Sequence, residues 1–387
     1  MAVYKIFSEK DAAIYSDAPT QNTGRDEILD ISSFNALNVP GLGEDIQVAR
    51  ALVQFPSSEI NSLISNNVTG SYKAYLKLFL ANGSSVPINY GIYAYPISGS
   101  WNMGTGRRSD SPITTNGVSW KYRNNASSAT TWNFSPAPYS DNNPKASGSV
   151  ASQYGTVPGG GNWYVALILS GSGTYIHPEA SQSFTYTTNK DLNIDVTQTV
   201  DLWYSGTIAN NGFILKQTSS IEFSTSSFFS TAYFSMDTHT IYPPQLEIKW
   251  DDSSYVTGSF SILTNGNFVS TLSNNKGTYN MDSKQRFRVY NRDQFPARTF
   301  TTSSVYLNNK YLPTSSYWSI VDNKTNEIVI DFDTNYTKIS ADVTSNYFDV
   351  YMNGLEPERY YKILIKSVLS NTETVVIDDE NYFKIVK

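Results

Sequence analysis

The strongest constraint on this chain is a period of two. Residues 71–81 read SYKAYLKLFLA, which places Tyr72, Ala74, Leu76, Leu78 and Leu80 on one face of an extended segment. PINYGIYAYPI does the same, with Ile88, Tyr90, Ile92, Ala94 and Pro96 set against Asn89, Gly91, Tyr93 and Tyr95. Short apolar runs of this kind recur through the first 250 residues and are separated by turn clusters. They predict strands at 2–7, 12–15, 28–31, 49–55, 72–80, 88–97, 163–170, 183–186, 213–217, 221–223 and 245–250. Composition agrees with the pattern. Aromatics reach 14 % with 28 Tyr, while charged residues are only 16 %, so the chain suits a β protein and not a helical or disordered one.

Helix is expected in two places. SSEINSLISN (57–66) offers a Ser cap and apolar Ile60, Leu63 and Ile64. DVTQTVDLWYSG spaces Val196, Val200, Leu202 and Trp203 three or four apart, with Asp195 or Thr197 as cap and Gly206 as terminator. Trp203 then reads as a plug for the core. The Asn210–Asn211–Gly212 turn leads into the next strand.

The 387 residues allow two or three domains. The expected division is a jelly-roll-like β-sandwich over 1–252, followed by one or two smaller immunoglobulin-like β domains over 253–387 with a split near 310–330. Within the first, residues 98–162 form a long loop region rich in Gly, Pro, Ser and Asn. It holds Trp101, Trp120 and Trp132 and ends at Trp163. A long loop that keeps several Trp is expected to be anchored, and aromatic loops are frequent binding sites. Trp101, Trp120 and Trp132 are therefore the candidate contacts with a glycan or a neighbouring subunit, set against the weightier reading that a sandwich core takes up Trp first.

Other chemistry is thinly represented. The net charge of −6 is spread out, and Lys and Arg form no stripe, which argues against nucleic acid and against a polybasic membrane contact. The absence of Cys removes disulfides, thiol catalysis and thiolate zinc sites. The two His, His177 and His239, have no His partner three or four residues away. PGGGNWY lacks the Lys and the following helix of a phosphate loop. Carboxylate pairs could serve glycoside hydrolysis. The candidates are Asp251 with Asp252, Asp331 with Asp333 (about 6–7 Å apart on one strand face) and the run Asp378–Asp379–Glu380. Strand faces, turns or a weak Ca²⁺ site account for them more simply. No catalytic residue, cofactor or metal is expected. The N-terminus, MAVYKIFSEKDAAIYS, has no apolar core of a secretory signal, so export by that route is not expected.

The quoted phrases also follow a family order. KDAAIYSDAPTQNTGRDEILDIS carries Asp11, Ala12, Asn22, Gly24 and Leu29. VARALVQFPSSEI carries Arg50, Ala51, Leu52 and Phe55. AYLKLFLANG, ISGSWNMGTGR, GVSWKYRN, PGGGNWY, DVTQTVDLWYSGTIANNGFILK and IEFSTSSFF with PPQLEIKWDD come after them. This series resembles the DNRLRE-type β-sandwich of bacterial surface proteins and carbohydrate-binding modules, over about two-thirds of the chain. The whole chain, including RFRVYNRDQFPARTFTTSSVYLNNKYLP and LEPERYYKILIKS, resembles structural proteins of large tailed bacteriophages. These resemblances imply a non-enzymatic virion protein of the tail, baseplate or neck, assembled in the host cytoplasm. Other virion proteins and further copies of itself are the implied partners. The alternative is a host-recognition adhesin bound to a surface glycan, and more remotely a polysaccharide depolymerase using Asp331 or Asp333.

Overall fold

The computed structural model describes residues 2–36, 45–84, 89–132, 159–164, 167–168, 175–176, 178–185, 187–217, 219–222, 224, 228–296, 308–370 and 373–387. The fold is all-β, with 46 % strand arranged in several sheets of sandwich type. Among the described residues helix is confined to Ser57–Asn66, Thr197–Tyr204 and a single turn at Ser219–Glu222. No helix among them is long and apolar enough to cross a membrane. The chain divides into two compact units. One comprises Ile6–Asn66 and Ala74–Glu247, and the other Met1–Lys5, Asn67–Lys73 and Ile248–Lys387.

In the first unit the larger sheet runs, in spatial order, Ala180–Thr185, Asn89–Pro96, Phe213–Lys216, Asp45–Gln54, Ile28–Ala36, Phe229–Phe234 and Leu80–Ser84. Strand Asp45–Gln54 is its hub. Its first half pairs with Ile28–Ala36, its second half with Lys10–Tyr15, and residues 51–53 with Phe213–Lys216 on the opposite edge. A four-stranded sheet of order Ala2–Phe7, Gln245–Trp250, Tyr72–Leu78, Leu192–Asp195 has its residues divided between the two units. The alternation read in the sequence holds: Ala74, Leu76 and Leu78 are fully buried, as are Ile92 and Ala94. Both longer helices form where their periodicity places them. Ile60, Leu63 and Ile64 face inward from the first, and Val200, Leu202 and Trp203 from the second. The second helix is capped by Val196, without a side-chain cap bond, and not by Asp195 or Thr197 as expected; the Thr197 amide donates to Asp195 Oδ1 at 3.0 Å, and Gly206 (φ 71°) follows the helix.

Two expectations are corrected. The strand expected over 72–80 is two strands, Tyr72–Leu78 and Leu80–Ser84, which belong to different sheets. The switch is held at Phe79 and Leu80. The Leu80 amide donates to Asp191 Oδ1 at 2.8 Å, and the Phe79 carbonyl accepts from the Phe234 amide. The strand expected over 221–223 is instead the helical turn Ser219–Glu222, whose Glu222 side chain is buried. Parts of other expected elements, including residues 88, 165–166, 169–170 and 186, lie outside the described residues.

In the second unit one sheet has the order Phe268–Ser273, Lys284–Asp293, Asn346–Tyr351, Ser340–Ala341. The other has the order Thr278–Asn280, Thr374–Val386, Tyr360–Val368, Ser316–Asp322, Ile328–Ile330. Inward residues of both sheets meet in one apolar cluster. Trp318 stacks on Phe348 at 5.4 Å, Phe348 on Phe287 at 5.5 Å, and Phe287 and Tyr361 each approach Phe383. Such ring contacts add to the area they bury. Val3 belongs to the same cluster.

One buried acid makes the first unit sensitive to pH. Asp11, in strand Lys10–Tyr15, is 1 % exposed and accepts the Met236 amide at 2.6 Å. Burial pushes its carboxyl up to about 8 from an ordinary 3.8. Between these values the folded chain keeps a proton that the unfolded chain releases, so stability falls as pH rises through that window. Asp26 and Asp30, also raised by burial, act with the same sign. Asp11→Asn keeps an acceptor for Met236 and carries no charge. In urea unfolding it is expected to gain stability over the wild type from about pH 5 to about pH 8 and to show a flatter pH profile.

Candidate functional site

The three tryptophans offered as candidate contacts are inside the first unit, as the core reading of them has it. Trp101, Trp120 and Trp132 are 4 %, 0 % and 2 % exposed, and with Trp163 they join Ile14, Val48, Leu52, Ile97 and Ile214 in one core. Trp101 Nε1 donates to the Asn211 carbonyl at 2.8 Å, and Trp132 Nε1 to the Ser119 carbonyl at 3.0 Å. A ring stacks on a sugar through an open face, and these faces are covered by protein.

The loop that carries them is anchored by one carboxamide. Asn22 is fully buried. Its Nδ2 donates to the carbonyls of Met103 and Val118 at 2.7 and 2.8 Å, and its Oδ1 accepts the Gly106 amide at 2.7 Å. Gln21 adds bonds to the carbonyls of Arg107 and Arg108. The backbone comes so close that a Cβ on Gly104 (φ 77°) would lie 2.3 Å from Asn22 Oδ1. The sequence signal for this was present in the Gly-rich stretch after Trp101. What it encodes is close approach to Asn22. Residues 133–158 of the expected loop lie outside the described residues.

At the centre of the tryptophans sits a charged group that the sequence reading did not single out. Arg50 projects from the hub strand and is fully buried. Its Nε and Nη2 donate to the two oxygens of Glu222 at 2.8 and 2.6 Å, and its Nη1 donates to the Gly160 carbonyl. The Trp120 and Trp163 rings lie 5.0 and 5.1 Å from the guanidinium carbon. Lys216, also fully buried, stands 3.4 Å from Glu222 and donates to the Gln217 carbonyl at 2.6 Å. Removing these charges from water costs several kcal/mol per ion, about 3–5 kcal/mol net if one partner is lost, so a bidentate pair with ring neighbours is what makes burial tolerable. The signal available in sequence was an Arg amid VARALV and a Lys closing FILK, both in otherwise apolar strands. Chemically the arrangement is sealed. It joins the sheet, the Ser219–Glu222 turn and the Gly160 segment, and it presents no face to a substrate.

The carboxylates are likewise committed to local structure. Asp331 and Asp333 do not share a strand face, because the strand ends at Ile330. Asp333 Oδ1 accepts the amides of Asn335 and Tyr336 at 2.7 and 3.1 Å and so shapes a turn. Asp251 accepts the Ser253 amide at 2.8 Å. Asp378 pairs with Lys362 at 2.7 Å. His239 is on the surface, 3.7 Å from Glu27, and His177 lies outside the described residues. No group of three His, Asp or Glu placed to hold a metal occurs among the described residues.

An open cleft of about 280 Å³ does occur in this unit. It lies between the start of helix Ser57–Asn66 and the end of helix Thr197–Tyr204 and is lined by Ser57, Ile60, Asn61, Trp203, Gly206, Ile208, Ala209 and Asn210. Trp203 contributes little surface there, since it is mostly buried and packs on Phe213 at 4.7 Å. The Asn210 carboxamide is engaged with the Phe55 carbonyl and the Gly212 amide.

No protein-family model matches the chain, and no curated protein matches it. Among solved structures, a DUF4785 family protein from Legionella pneumophila is similar at 8 % identity with a TM-score of 0.17. The match covers 100 % of this chain and 62 % of that protein, so the chain spans less than two-thirds of its length. So distant a likeness carries nothing about function.

The buried pair sets a clear expectation for mutation. Glu222→Gln leaves Arg50 and Lys216 buried without their carboxylate, and it is expected to cost about 3–5 kcal/mol in chemical denaturation.

Proposed function

We propose that the chain is a structural component of a tailed-phage virion, present in many copies and acting by packing against its neighbours. The observation that supports this reading is the commitment of its chemistry to the fold. Arg50, Glu222, Asn22, Asp333 and the tryptophans, the residue types from which a site would be built, instead tie loops and turns to sheets. The low charged content and the abundance of Tyr suit a protein whose surface meets other proteins. The assignment to a particle rests on the sequence resemblance. The tail, the baseplate and the neck are equally consistent with it.

An adhesin that binds a host glycan is the second reading. The observation favouring it is the cleft between Ser57 and Asn210, since that cleft is open and Trp101, Trp120 and Trp132 are not. Mass spectrometry of purified particles tests the first reading. Stoichiometric presence, at many copies per particle, is expected. Absence from particles overturns it.

A further inference from the structure

Strand Lys284–Asp293 turns Phe287 and Val289 into the core, so Lys284, Arg286, Arg288, Tyr290 and Arg292 share the outer face. The cations at 284, 286 and 288 are spaced about 7 Å apart along the strand. They are also held in place. Arg286 donates to both oxygens of Asp349 at 2.7 and 3.0 Å, and Arg288 donates to Thr344 and Ser345 at 2.8 and 2.9 Å and pairs with Asp342. The Tyr347 ring lies 4.2 Å from the Arg286 guanidinium and 5.9 Å from that of Arg288. Four cations on this face are met by the carboxylates of Asp349 and Asp342, leaving an excess of two positive charges. Side chains fixed before contact lose little entropy in making it.

The chain as a whole carries −6, so a second copy is itself a source of the opposite charge. The complementary feature is on the other sheet of the same unit. Strand Thr374–Val386 pairs Asn381 with Ile363 and Ile377 with Ile365, so three residues bulge opposite Leu364. These are Asp378, Asp379 and Glu380, all exposed, with Glu380 at φ 52°; Asp378 pairs with Lys362 at 2.7 Å, which leaves the bulge an excess of two negative charges. On its outer edge, Thr278–Asn280 pairs with residues 384–386. The bulge and its charges oppose addition of a further strand at that edge. Contact there is made by side chains.

We propose that the cationic face of strand Lys284–Asp293 docks the acidic bulge at 378–380 of a second copy of this chain. The inference rests on the packing role proposed above. Because the two surfaces differ, the contact is heterologous and continues from copy to copy into a ring or a filament.

Sedimentation of the full chain tests it. The wild type is expected to self-associate at low salt, with association weakened about tenfold or more between about 50 mM and about 500 mM salt. Asp379→Lys/Glu380→Lys, both at exposed positions, is expected to sediment as a monomer, as is Arg286→Gln/Arg292→Glu. An equimolar mixture of the two variants is expected to associate again, because the acidic bulge of one meets the intact cationic face of the other. If the Arg variant does not fold, the acidic variant alone carries the test. A wild-type monomer at low salt, or association unchanged in the acidic variant, overturns the contact. If the chain is abundant in particles but monomeric in solution, this contact falls and the packing role stands. Absence from particles removes the packing role itself.

Discussion

The first unit depends on an ion pair placed where water cannot reach it. Arg50 lies on the hub strand, which pairs with three others, and its guanidinium is fixed by Glu222, by the Gly160 carbonyl and by the rings of Trp120 and Trp163. A buried charge is stable only when its partner and its remaining hydrogen bonds are all in place. This requirement passes from Arg50 to the elements that satisfy it. The turn at Ser219–Glu222 must be helical to present Glu222, and the segment at Gly160 must approach the Trp120 backbone, where the Gly160 amide donates to the Trp120 carbonyl at 2.7 Å. A Cβ on the neighbouring Gly159 would lie 2.0 Å from that same carbonyl oxygen.

This arrangement bears on what the protein can do. Aromatic rings and charged groups in a loop-rich region are the usual materials of a binding site. In this chain they face inward, and the Asn22 bonds hold the stretch from Met103 to Val118 against them. Interaction is left to the surfaces: the cleft beside Ser57 in the first unit, and in the second a cationic sheet face and an acidic strand bulge.

Some of this was legible in the sequence. Strand Gln245–Trp250 and helix Ser57–Asn66 lie at their expected bounds, because alternation and a capped 3.6-residue period are local signals. The sheet switch at Phe79 was not legible, since it is held by Asp191, more than a hundred residues away. The turn at Glu222 was hidden for a similar reason, because Arg50 is 172 residues distant. The tryptophans were candidate contacts because they sit in a long loop region, and their burial follows the rule that a sandwich core takes up Trp first. The Gly and Asn residues around them serve close backbone approach to Asn22. The Arg residues of RFRVYNR are plain in the sequence, but their common sheet face was not legible, since the carboxylates that hold them lie 54 to 63 residues away.

The Arg50–Glu222–Lys216 group acts as a structural lock of the first unit. Denaturant unfolding of Arg50→Met/Lys216→Met/Glu222→Leu beside Glu222→Gln tests it most directly. Uncompensated charge is what makes the single change costly, so the triple variant is expected to regain most of the lost stability and to keep its β spectrum. A triple variant no more stable than Glu222→Gln, or a Glu222→Gln chain as stable as the wild type, would contradict the account.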